Sequence, residues 1–94
     1  MKENEYQARL KKRIRKMLPD CIIIKIDDIQ GFPDLLILNK YNWAALEIKR
    51  CASSHKQPNQ EYWIDRLDGM SFASFIYPEN EEAILDALQR ALLS

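Results

Sequence analysis

The chain has little of what several common functions require. Among its 94 residues there are one histidine and two cysteines. Cys21 and Cys51 form no CxxC pair, so neither a zinc site nor a disulfide framework is indicated, and reduced structural thiols are expected. No apolar run approaches the ~20 residues of a membrane span, and the charged amino terminus lacks the apolar core of a secretion signal. A cytoplasmic protein without a membrane partner is therefore expected. Repeats, low-complexity tracts and long linkers are missing too, so residues 1–94 read as one domain with a modest core. Net charge is also absent, with 14 basic and 14 acidic side chains.

Zero net charge argues at first against nucleic acid, but the charges are unevenly placed. Lys2, Arg9, Lys11, Lys12, Arg13, Arg15 and Lys16 face only Glu3 and Glu5 before Leu18, whereas the stretch from Gln60 onward is acidic apart from Arg66 and Arg90. A basic first helix could meet phosphates while an acidic last helix faces away. A solvated helix face laced with charge would give the same pattern.

Periodicity supplies the elements. Tyr6, Leu10, Ile14 and Met17 stripe a helix from Glu3 to Leu18, ended by Pro19. Cys21 to Ile26 is β-branched and apolar, the mark of a well-buried strand. Asp27 and Asp28 lead to Gly31; they are either turn formers or ligands of a second metal. Lys25 either is solvated or reaches a phosphate. Leu35–Leu38 and Trp43–Ile48, joined by Asn39-Lys40-Tyr41-Asn42, form a hairpin. Pro58 opens a second helix with Gln60, Trp63, Ile64 and Leu67 on one face, and Gly69 stops it. A short strand, Ser71–Tyr77, and a helix striped by Ile84, Leu88, Ala91 and Leu92 complete an α-β-β-β-α-β-α order. The aromatic strand and this last stripe are also candidate surfaces for pairing two chains.

The chemistry-bearing residues lie on the hairpin. Alternation puts Glu47 and Lys49 on one side of the sheet and Leu46 and Ile48 on the other. Asp34 starts the preceding strand and can add a second carboxylate. Such a pair suits Mg²⁺, a hard cation, and a neighbouring ammonium can polarise water or a phosphoryl oxygen. Helical phase puts Glu3 on the Tyr6–Leu10 side and Glu5 away from it, which makes Glu3 the better third acid; it could equally only favour the helix amino terminus. For Glu47 and Lys49 the plain alternative is an exposed salt bridge, worth ~0–1 kcal/mol.

Gly31-x-Pro33-Asp34 followed by Glu47-x-Lys49, then Gln60 before Trp63, with Glu3 on the opening helix, resembles the PD-(D/E)XK nuclease superfamily from end to end, and most of all its minimal virus-type replication-repair nuclease (VRR-NUC) branch. The resemblance implies an α/β fold with a restriction-endonuclease-like α-β-β-β-α-β core, a C-terminal helix and a mixed central sheet flanked by helices. It implies that Asp34, Glu47 and the Ile48 carbonyl bind Mg²⁺, with Mn²⁺ able to substitute, that Glu3 joins through water or at a second metal, and that Lys49 and Gln60 serve the attacking water. The expected activity is a structure-specific endonuclease acting on branched DNA such as Holliday junctions in replication, repair or recombination, as a homodimer, within the host cytoplasm if the source is viral. The alternatives are a catalytically inactive nuclease-fold module that binds DNA or protein, and a purely structural protein.

Overall fold

A computed structural model describes residues 2–93. The elements run α1 (Glu3–Met17), β1 (Ile22–Lys25), β2 (Leu35–Asn39), β3 (Asn42–Ile48), α2 (Pro58–Asp68), β4 (Phe72–Ile76) and α3 (Glu81–Leu93). The fold is α/β: one mixed four-stranded sheet in the order β1-β2-β3-β4, antiparallel until β4, which runs parallel to β3. A parallel neighbour needs a crossover, and α2 supplies it. None of the described helices is long and apolar enough to cross a membrane.

Strand alternation sorts the core into two layers. Leu35, Ile37, Leu46, Ile48 and Ile76 pack under the stripes Tyr6–Leu10–Ile14 of α1 and Leu85–Leu88–Leu92 of α3. On the other face Ala45 and Ala73 meet Ile64 and Leu67 of α2, with Phe32, Trp43, Trp63 and Phe75 packed around them. The small alanines let the helix approach, and the Phe32 and Trp63 rings meet edge to face at 5.0 Å. Asn39, buried beside the hairpin turn, donates from Nδ2 to the Leu92 carbonyl at 3.2 Å and satisfies one of the carbonyls left open at the end of α3.

Three expectations need correction. β1 is not well buried: it is an edge strand, with Ile22 and Ile24 exposed at 59% and 40%. Those two face the α2 side, paired with Leu38 and Leu36 of β2, and α2 lies mainly over β3 and β4. The acidic last helix does not face away from the basic first one. Glu81, only 5% exposed, is clamped by Arg9 and Arg13, and Arg13 also meets Glu82 at 3.0 Å. Finally, Ala73 and Ile76 of β4 and Leu88 and Leu92 of α3 are spent on the core and are not available for pairing chains, whereas Phe72, Phe75, Tyr77 and Ile84 are only partly buried.

Candidate active site

The β2–β3 hairpin sets Asp34 and Glu47 on the α2 side of the sheet. Its two-residue turn uses Lys40 at φ 55°, and the register Leu35↔Leu46 brings the residue before β2 next to the end of β3. The Ile48 N–H donates to Asp34 Oδ2 at 2.9 Å. In an extended strand a residue's N–H and C=O leave on the same side, so the Ile48 carbonyl also leaves toward Asp34.

Glu47 is 4% exposed. Its Oε2 accepts from Gln60 Nε2 at 3.1 Å and lies 3.7 Å from Lys49 Nζ. Oε1 is wholly buried and receives no hydrogen bond; the remaining neighbour of Glu47 is Asp34, with which it can hydrogen-bond only when one of the two carboxyls is protonated. Burial, and then the negative charge of Asp34, push the Glu47 carboxyl up to about 8, against the opposing pull of Lys49.

Lys49 Nζ donates to Gln60 Oε1 at 2.9 Å, and its backbone N–H is pinned to the Ile76 carbonyl of β4 at 2.9 Å. Gln60 Oε1 also accepts from the Gln57 N–H at 3.0 Å, half of a capping box at the start of α2. The Gln60 amide is thus held between a carboxylate on its nitrogen side and an ammonium on its oxygen side. It aligns Glu47 and Lys49 with each other.

Glu3 stands at the rim. With Asn4, Gln7, Lys25 and Asp34 it lines a pocket of about 220 Å³, and its charge contributes to raising Glu47; Glu5 lines no part of this pocket. Glu3 does not close with Asp34 and Glu47 into a three-acid cage: among the described residues no three His, Cys, Asp or Glu side chains are gathered to hold a metal. Asp27, Asp28 and His55 are exposed loop residues. A larger cleft of about 410 Å³ lies elsewhere, between α1 and α3, and its lining of Arg9, Arg13, Pro78, Glu81 and Glu82 is the ion-paired clasp described above.

Four participants escaped the sequence reading. Gln57 was detectable, because Gln57-Pro58-Asn59-Gln60 has the N-cap to N3 spacing of a capping box. Asn59 Nδ2 donates to the Gln30 carbonyl at 3.1 Å and ties the loop before Asp34 to α2. Asn4 and Gln7 carry no signal of their own; only their position on α1 brings them to the pocket. The chain matches no protein-family model, no curated protein and no solved structure.

Proposed function

We propose that the protein is a Mg²⁺-dependent endonuclease that hydrolyses DNA phosphodiester bonds, with a restriction-endonuclease-like core of the PD-(D/E)XK, VRR-NUC kind. The observation that carries this reading is the Glu47 carboxylate, buried beside Asp34 with one oxygen unpartnered. Burying a carboxylate costs several kcal/mol, a penalty that can exceed what an ion pair with Lys49 returns, so stability alone gives little reason for the arrangement. In the metal-free protein the Glu47 carboxyl meets that cost by holding a proton, and a divalent cation would take the proton's place.

The donors fit such an ion: Asp34, Glu47 and the Ile48 carbonyl would hold it, with Glu3 reached through water. When bound, Mg²⁺ or Mn²⁺ supplies an acidified water and a positive charge against the scissile phosphate. Lys49, aligned by Gln60, hydrogen-bonds the incoming oxygen and offsets charge gathering on the phosphoryl group. The water oxygen bonds to phosphorus, one bridging P–O bond breaks, the water proton goes to solvent and the leaving oxygen is protonated. The substrate proposed is branched DNA, such as a Holliday junction met in replication, repair or recombination, cut in the cytoplasm by a homodimer.

The absence of a closed three-acid cage among the described residues favours a second reading, a nuclease-fold module that binds without cutting. A cleavage assay on branched, nicked and linear DNA with and without Mg²⁺ decides between them. Asp34→Ala, Glu47→Ala and Lys49→Ala are each expected to lower cleavage by at least ~100-fold. Metal-free DNA affinity should stay close to wild type, and circular dichroism at the assay temperature checks that each variant is folded. Wild-type turnover by any of the three would sink the nuclease assignment.

A further inference from the structure

The basic residues of α1 fall into three groups that the sequence does not separate. Arg9 and Arg13, four apart, turn toward α3 and are engaged by Glu81. Lys12 and Lys16 point outward and are exposed. Asn4, Gln7, Lys11 and Arg15, at spacings of three, four and four, share the remaining flank, since each residue advances about 100° around a helix. This flank borders β1. Asn4 and Gln7 share the pocket with Lys25, the last residue of β1, and Arg15 lies near enough to Cys21, just before β1, for its charge to act on the thiol.

The flank therefore runs antiparallel to β1, with Asn4 and Lys25 at the active-site end and Arg15 and Cys21 at the other. Lys11, Arg15 and Lys25 have no ion-pair partner among the described residues, in contrast to Arg9 and Arg13. Lys11 is half-buried, as expected of a long side chain whose apolar stem is covered more readily than its charged end. From Asn4 to Arg15 the helix axis covers roughly 16 Å, the rise of about five base pairs at ~3.4 Å each along a duplex axis. The exposed edge of β1 lets a polymer lie alongside, where α3 blocks the opposite flank.

We propose that this flank of α1, with Lys25, is a track for the phosphate backbone of one DNA strand leading into the pocket of Asp34 and Glu3. Asn4 and Gln7 supply neutral donors nearest the acids, and Lys11 and Arg15 supply the charge farther out. The track depends on the nuclease reading for its choice of DNA, and its geometry is independent of any chemistry at Glu47.

The test is fluorescence anisotropy of labelled DNA against salt, with metal omitted, for the full chain. Lys11→Ala, Arg15→Ala and Lys25→Ala should each weaken binding and lower the slope of log affinity against log salt by about one; the triple variant should lose about three. Lys12→Ala and Lys16→Ala remove the same charge from the outer face and should leave the slope unchanged. Thermal melts of all five check that the fold is intact. Equal effects at all five positions, no wild-type DNA binding, or binding to phosphatidylserine vesicles in place of DNA would overturn the track. Unchanged slopes in a protein that still cleaves DNA would remove the track and leave the nuclease; lowered slopes in a protein that never cleaves would remove the nuclease and leave the track.

Discussion

Glu47 is a buried acid beside a second acid, and these surroundings make stability depend on pH in a definite direction. Its carboxyl is raised to about 8 by burial first and Asp34 second. The folded chain therefore holds a proton that the unfolded chain has released, and this group's contribution is fully present below the usual carboxylate range and lost as pH rises toward 8. Melting temperature is expected to fall over that window relative to Glu47→Gln, which keeps the amide-sized shape without the charge. Between pH 5 and pH 8.5 wild type should lose at least ~1 kcal/mol relative to the variant, at about 1.4 kcal/mol per pK unit. Mg²⁺ should raise the wild-type melting temperature more at pH 8.5 than at pH 6, because at the lower pH it must displace the proton, and should leave Glu47→Gln nearly unmoved. Parallel wild-type and variant curves across the window would show that Glu47 is not held protonated by the fold.

At the scale of elements, the loop before β2 and the start of α2 depend on one another. Gly31 sits at φ 80°, and a Cβ placed there would come within 2.4 Å of the Asn59 side chain, whose amide grips the Gln30 carbonyl. Gly31→Ala is expected to destabilise by ~1–3 kcal/mol, through backbone strain and through displacement of Asn59. In an Asn59→Ala background the loss should shrink to the strain alone, so chemical denaturation of the double mutant should show non-additivity. Additive losses would mean that Asn59 moves aside freely. The hairpin was legible because alternation in Leu35–Leu38 and Trp43–Ile48 reports faces directly, and the face shared by Glu47 and Lys49 followed from it. What could not be read was coverage: Cys21–Ile26 has the composition of a strand, but nothing in it reveals that α2 stops short of Ile22 and Ile24. Glu81 was hidden for the same reason. An acid in the first turn of a helix normally answers the macrodipole, and only the docking of α1, some seventy residues earlier in the chain, turns it into a buried anchor.

For the whole molecule, the proposed activity carries a requirement of symmetry. Resolving a four-way junction takes two cuts related by a two-fold axis, and one chain offers one site. Sedimentation equilibrium at micromolar protein with a junction present is expected to show two chains per junction; a monomer that still made paired cuts would contradict the dimer. The contact cannot use Leu88 or Leu92, which are buried on the core-facing side of α3. Strand order has a consequence of another kind. β1, β2 and β3 lie in the sheet in the order in which they occur along the chain, each joined to the next by a short connection, whereas β4 arrives only after the long excursion through α2. Closing short loops is entropically cheaper than closing long ones, so refolding favours the meander before the crossover. The meander alone suffices to bring Asp34 beside Glu47, but Lys49 is fastened by Ile76 and Gln60, both beyond the crossover. Folding thus assembles the acids first and aligns the lysine last, and a half-folded copy is harmless to the DNA its finished form is proposed to cut.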